Sequence, residues 1–262
     1  MQKKEIRKIT TETKQNTKDD VKAFWNRNVC LTKFIKGEKK GTKEYFQEGE
    51  KIRYKYHYYL QHLFDKIAQE YPNGKLLEIG CGIGTDLREF ARRGMQVTGV
   101  DLTENAINYT KQHLEAFNLK GKLIVSDAEK LPFKDNTFDV VYSFGVLHHT
   151  PNTQKAINEV HRVLKSSGKA VIMLYHKISL NYAAHRILDV PFDGSRKDRC
   201  PVERAYTKED IRTMFERYNS VDIKIDYLFG TGWKFANAIM PKFLHRALGK
   251  KIGWHIVIEG KK

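Results

Sequence analysis

The chain has 262 residues, of which 40% are hydrophobic and 11% aromatic, enough for a packed core and too many for a disordered chain. That length fits one large domain, or one domain with additions. The formal charge of +16 invites a nucleic-acid partner, but the excess lies at the ends: about +8 in residues 1–60, about +6 in residues 234–262, and about +2 between them.

A solvated Lys-rich surface accounts for this distribution more simply than an RNA-binding face. No apolar run approaches the roughly 18–20 residues of a membrane span. The first twenty residues lack the apolar stretch of a secretory signal. Cys30, Cys81 and Cys200 are far apart and odd in number, so neither a disulfide framework nor a metal site is expected. A reducing cytoplasm is the simplest compartment for such a chain.

In chain order, residues 1–20 read as a mobile basic tail. A helical pattern runs from Val21 to about Leu31. After a Gly/Lys-rich loop at 36–43, aromatic residues at helical spacing between Tyr45 and Tyr71 predict one or two more helices, closed by Pro72-Asn73-Gly74. Residues 21–72 are thus a helical extension ahead of the main domain, residues 73–262. In that domain short apolar runs alternate with helical segments. KLLEI (75–79), QVTGV (96–100), KLIVS (122–126), FDVVYSF (138–144) and KAVIMLY (169–175, opened by Gly168) are predicted strands. Helices are expected at 85–93, 103–117 and 152–164. This alternation predicts βαβ units and a parallel sheet whose strands are buried on both faces. Later come a helix at 208–217, a strand at 220–229, a helix at 233–248 broken near Pro241, and a strand at 253–260. The two late strands suit the edge of the sheet.

The stretch LLEIGCGIGTD (76–86) carries the chemistry. Ligands of open α/β sheets bind beyond the carboxyl ends of the strands, where this loop falls. A dinucleotide loop needs GxGxxG, with a helix N-terminus facing a pyrophosphate. Here Gly80, Gly82 and Gly84 follow as GxGxG, and Thr85 takes the place of the expected third glycine. Glu78 stands two positions before the first glycine. A carboxylate there repels a pyrophosphate and suits a cation, and S-adenosylmethionine is a cation without phosphate. Asp101 ends the second strand, 21 positions after Gly80, the spacing of an acid that accepts from ribose hydroxyls; capping of the next helix is its plainer role. Asp127 ends the third strand, placed to accept from an adenine amino group.

These segments, with GVDLT (99–103), SDAEKLPF (126–133), FDVVYSFGVLHHT (138–150) and INEVHRVLKSSGKAVIMLY (157–175), resemble the class I S-adenosylmethionine-dependent methyltransferases of the small-molecule, ubiquinone/menaquinone type. The resemblance covers roughly residues 74–176. It implies a doubly wound, seven-stranded Rossmann-like sheet, mostly parallel with an antiparallel edge strand, N-terminal helices, and an insertion after strand 5. It departs from the family at SSGK (166–169), where Pro-Gly-Gly is usual; Gly168 is expected to keep the turn. It implies S-adenosylmethionine as cofactor and S-adenosylhomocysteine as product. Gly80, Cys81, Gly82 and Gly84 would pack on the methionine and sugar, with Glu78 at the ammonium. Asp101 would hold the ribose, Leu102 would flank the adenine, and Asp127 and Ala128 would meet its edge. Phe144 would offer backbone to the amino group. Tyr45, Arg53 and Tyr54 would close over the methionine carboxylate.

Methyl transfer from a sulfonium requires alignment and exclusion of water, and a base only if the acceptor must lose a proton. His148 and His149 are candidates for that base or for positioning. The insertion at about 176–207 is basic, and Tyr175, His176, Arg199 and Tyr206 are candidate acceptor contacts, which hints at an anionic small molecule. Two rivals stand beside a small-molecule methyltransferase: an RNA methyltransferase, with no separate RNA-binding motif in sight, and a non-catalytic subunit that binds the cofactor.

Overall fold

The computed structural model describes residues 14–229, 233 and 239–262. Three helices precede the sheet: α1 (Lys14–Arg27), α2 (Lys43–Tyr56) and α3 (Leu60–Glu70). Then follow β1 (Lys75–Ile79), α4 (Thr85–Arg92), β2 (Gln96–Asp101), α5 (Glu104–Ala116), β3 (Lys122–Val125), β4 (Phe138–Phe144), α6 (Thr153–Val163) and β5 (Leu164–Tyr175). The remainder is α7 (Leu180–Ile187), a small hairpin of β6 (Gly194–Ser195) and β7 (Asp198–Arg199), α8 (Lys208–Met214), β8 (Ser220–Asp226), α9 (Lys242–Ile252) and β9 (His255–Lys261).

Seven strands pair in the order β3-β2-β1-β4-β5-β9-β8. The first five are mutually parallel. Within the late edge pair, β9 runs antiparallel to both of its neighbours, so β8 at the edge points with the parallel set. The order reverses between β1 and β4, which opens a crevice beyond their carboxyl ends.

Strand periodicity explains the layers. Leu76, Val140 and Val171 point to one face and pack with Phe64, Leu87 and Phe90 of α3 and α4. Their neighbours Leu77, Val141 and Ile172 point to the other and pack with Ile157 and Val160 of α6 and Ile211 of α8. Both faces are covered, as near-continuous apolar strands require. A third cluster, including Val29, Ile35, Tyr45, Phe46 and Ile83, seats the N-terminal helices on the glycine loop.

Several boundaries differ from expectation. Helix α1 begins at Lys14, inside the stretch read as tail, and stops at Arg27; Leu31, at a φ of 71°, cannot extend it. Residues 1–13 and positions 234–238 of the helix predicted at 233–248 lie outside the described residues; the later part of that prediction is α9. The turn expected at SSGK is instead part of a longer β5. Phe138 pairs with Leu164 and Val140 with Lys169, so the intervening residues bulge. Gly168 is required by crowding: a Cβ there would lie 2.9 Å from the Lys165 carbonyl oxygen and 3.0 Å from that of Asp139.

Candidate active site

A cavity of about 590 Å³ opens at the carboxyl ends of β1, β2 and β4. Its first end is backbone. Gly80 N and Cys81 N donate to the Val100 carbonyl at 2.7 and 3.1 Å, which ties the loop to β2. Gly80 has a φ of 79°, and a Cβ on it would lie 2.2 Å from Val146 Cγ2. Gly82 has a φ of 56° and nothing within 4 Å of a would-be Cβ, so its bare face is open space. Gly84 is the residue before α4, packed on Thr110 and outside the cavity wall.

Acids surround this loop. Asp101 Oδ2 accepts from Gly82 N at 3.1 Å, and Oδ1 accepts from the backbone and hydroxyl of Thr103, both at 3.0 Å. It therefore holds the loop and steadies the residue that caps α5 while facing the cavity. Burial pushes its carboxyl up, and these hydrogen bonds oppose the rise. Glu78 is buried and its Oε2 has no partner. Burial, with the charges of Asp86 and Asp101, holds it well above the usual carboxylate range against the pull of Arg53. A buried acid with an orphan oxygen on a cavity wall is a place for a cation, whose charge would favour the ionised form. Asp127 Oδ1 accepts from Glu129 N at 2.9 Å, while its Oδ2 pairs with Lys18 of α1 at 2.5 Å.

Arg53 is committed elsewhere. Its Nε donates to Asp86 Oδ1 at 3.0 Å and its Nη2 to Asp86 Oδ2, and the guanidinium lies 4.6 Å from the Phe144 ring centroid. Tyr142 donates to Asp86 Oδ2 at 2.8 Å, and Tyr54 to the Thr85 carbonyl at 3.1 Å. Tyr54 and Tyr45 are spent in packing: neither lines the cavity, and Tyr45 lies in the cluster beside Phe46 and Tyr109. Of the three residues expected over the carboxylate, only Arg53 reaches the wall.

The other end of the cavity is aromatic, with Trp25, Phe34, Tyr175, Phe192 and Trp254 among its walls. Tyr175 stacks on Trp254 at 4.2 Å, and Phe192 meets Trp254 edge-on at 5.0 Å. One carboxylate, Asp193, stands among them. It accepts from the Tyr175 hydroxyl at 2.8 Å and lies 3.4 Å from His149 Nε2, an ion-pair contact rather than an aligned hydrogen bond. The loop is fixed by Glu203, whose carboxylate accepts from Phe192 N and Asp193 N.

The two adjacent histidines have opposite environments. Burial works against a charge on His149, but Asp193 and Cys200 prevail and raise it to about 10. His148 is fully buried, its ring 3.8 Å from that of Tyr175, with neither nitrogen partnered. Burial and the charge of His149 push it well below the usual range, and it does not line the cavity. Of the two candidate histidines, His149 lines the cavity and His148 is buried behind it.

The insertion is corrected as well. His176 binds the Gly253 carbonyl at 2.9 Å, Tyr206 donates to Thr153 Oγ1 at 2.8 Å, and Arg199 pairs with Asp189 on the surface. None of the three lines the cavity. Arg199 finds its partner in Asp189 and stands away from the cavity, so it is not a contact for an acceptor held there. The cavity does bring together Glu78, Gly80, Cys81, Gly82, Asp101, Leu102, Asp127, Ala128, Phe144, Arg53, His149 and Tyr175. Trp25, His57, Asp193, Trp254 and His255 join them without a local sequence signal. No group of three or more ligating side chains suited to a metal occurs among the described residues.

Residues 77–172 match the family model of a methyltransferase domain. The GxGxG loop, the acids at three strand ends and most of the five parallel strands occupy that same segment. Over this segment the chain is similar to the class I S-adenosylmethionine-dependent methyltransferases. Among its relatives, a sterol 4-C-methyltransferase of Caenorhabditis elegans is 32% identical over 127 residues, 48% of this chain and 38% of that one. A ubiquinone/menaquinone biosynthesis C-methyltransferase of Cereibacter sphaeroides is 36% identical over 112 residues, 41% of this chain and 44% of that one. This chain therefore spans less than half the length of either relative. A solved S-adenosylmethionine-dependent methyltransferase from Aquifex aeolicus shares the fold, with a TM-score of 0.50 at 16% identity over 76% of this chain and 88% of that one. The class I cofactor is S-adenosylmethionine, and this loop fits it: the orphan Glu78 oxygen offers a partner for an ammonium, and Gly82 leaves open space where a side chain would intrude.

Proposed function

We propose that the protein methylates a small, largely apolar acceptor held at the aromatic end of the cavity. The observation that carries this reading is the continuity of one cavity from the orphan Glu78 carboxylate to the Tyr175–Trp254 stack. When bound, S-adenosylmethionine supplies a methyl group already activated on a sulfonium, and S-adenosylhomocysteine is left. In this reading Glu78 pairs with the ammonium and Asp101 accepts from the ribose hydroxyls. Asp127 accepts at the adenine edge once Lys18 shares it. Leu102, Ala128 and Phe144 shape the walls.

On the acceptor side the aromatic rings exclude water and favour a flat, apolar molecule. Asp193 is held ionised: burial opposes the charge, but His149 and Tyr175 hold its carboxyl below the usual range. A carboxylate so stabilised is a weak base, so its role is to orient an acceptor's O–H or N–H rather than to remove its proton. Incubating the protein with methyl-labelled cofactor and a panel of ring-containing metabolites, with bulk tRNA in parallel, tests this. Label should appear in an apolar small molecule. Label in tRNA and in none of the metabolites would transfer the assignment to the RNA reading.

A further inference from the structure

Helix α7 is built inside out. Asn181 and His185, four residues apart, line the cavity. Asn181 accepts from Trp233 Nε1 at 2.8 Å, and His185 meets Phe192 at 5.3 Å. The opposite face carries Leu180, Ala183 and Ile187, all exposed, with Ile187 82% accessible. Ile178 and Leu188 extend this apolar surface at either end, at 60% and 58%. A helix on a soluble protein normally turns its apolar stripe to the core.

Helix α9 repeats the pattern. Phe243 is 76% accessible, and Leu244 and Ala247 are exposed beside it. The helix contains Lys242, Arg246, Lys250 and Lys251 and no acid. The two helices flank the same end of the cavity: Trp233, bonded to Asn181 of α7, stacks on Phe229 at 5.3 Å, and Phe229 meets His245 of α9 at 5.8 Å. Phe34, also exposed, stands on the cavity wall with Lys33 above its ring.

We propose that this face, the outer surfaces of α7 and α9, docks on an anionic lipid bilayer. Charge decides the occupant. The apolar side chains are interleaved with Lys177, Arg186, Arg246, Lys250 and Lys251, all exposed, and lysine and arginine can stretch to headgroups while their neighbours enter the acyl boundary. Anionic lipid attracts each such cation, worth about fivefold in affinity apiece. No helix among the described residues is long and apolar enough to cross a membrane, so the contact is peripheral. Docking stands on this surface alone. Its use, to let an apolar acceptor reach the aromatic end directly from lipid, rests on the function proposed above.

Flotation with vesicles tests the docking, with neither cofactor nor acceptor present. The wild-type chain should float with phosphatidylcholine vesicles that carry phosphatidylglycerol, and not with pure phosphatidylcholine. The pair Ile187→Ser and Phe243→Ser should weaken this by about tenfold or more, and the pair Lys250→Glu and Lys251→Glu should abolish the preference for anionic lipid. Unchanged affinity of both variants for S-adenosylhomocysteine verifies that they fold. Failure of the wild type to float, or flotation of the serine variant as strong as wild type, overturns the proposal. So does sedimentation showing a wild-type dimer that the serine variant disperses, with no vesicle binding, since the face would then cover a second copy. If the wild type floats but binds no S-adenosylhomocysteine, the reading of the cavity fails and the docking surface stands.

Discussion

The two ends of the cavity are made from different materials. At the loop end, Glu78, Gly80, Gly82, Asp101 and Asp127 come from three consecutive strand ends, and much of the wall is main chain. At the aromatic end, Trp25, Tyr175, Phe192 and Trp254 come from segments that meet only in the folded chain, and the wall is side chain. A main-chain site depends on residues that are small or conformationally permissive. A side-chain site depends on packing and on pairs such as Asp193 and His149. The first should fail through glycine substitution with little regard to charge, the second through loss of partners.

The largest effect should come where the N-terminal helices join the loop. Asp86→Ala leaves the buried Arg53 guanidinium without its carboxylate and Tyr142 without its acceptor. Removing one member of such a buried pair costs about 3–5 kcal/mol, a fall in melting temperature of about 10 °C or more for a chain of this size. A melt within about 2 °C of wild type would show that Asp86 does not hold the two parts together.

Next are the glycines, which separate folding from binding. At Gly80 a methyl group collides with Val146 inside the protein, whereas at Gly82 it enters open space. Gly82→Ala should therefore cost only the left-handed backbone strain, about 1 kcal/mol, yet lower S-adenosylhomocysteine affinity by about tenfold or more. Gly80→Ala should lower the melting temperature further than Gly82→Ala does. The reverse order in calorimetric melts would contradict the assignment of Gly82 to the ligand side.

At the aromatic end, Asp193→Asn removes the charge that keeps His149 protonated. The His149 imidazole should then be neutral at pH 7, seen as a shift of its ring resonances, while S-adenosylhomocysteine affinity is unchanged. An imidazolium that persists would show that Asp193 is not its counter-ion.

Stability against pH gives a further test, read without any substitution. Because His149 is raised to about 10 from an ordinary 6.5, its contribution is complete below about pH 6.5 and declines as pH rises toward 10. His57 is lowered to about 3, chiefly by burial and then by Arg53, and burial also holds His148 and His255 well below the usual range. Their contribution is present above pH 6.5 and is lost as pH falls toward 3. Denaturant titrations across pH should show both slopes. Stability that is flat from pH 6.5 to 9 would remove the alkaline term.

The sequence made the loop end legible because strand ends, glycines and acids recur at short fixed intervals, so Gly80 to Asp101 to Asp127 can be read along the chain. Even there it hid Asp101's double duty to Gly82 and Thr103 and the Lys18 contact at Asp127. The aromatic end was not legible. Asp193 and Trp254 carry no local pattern, and Arg199 reads as an acceptor contact because sequence does not show that it meets Asp189. His148 and His149 look alike side by side, and only burial and Asp193 separate them.

Titration calorimetry with S-adenosylhomocysteine and with NAD tests the central claim most directly, on the wild-type chain and on Gly82→Ala and Asp193→Asn. S-adenosylhomocysteine should bind the wild type and the Asn variant alike and the Ala variant about tenfold or more weakly, with no heat from NAD. Binding of NAD in place of S-adenosylhomocysteine, or an affinity for S-adenosylhomocysteine that Gly82→Ala leaves untouched, would contradict the account of this cavity.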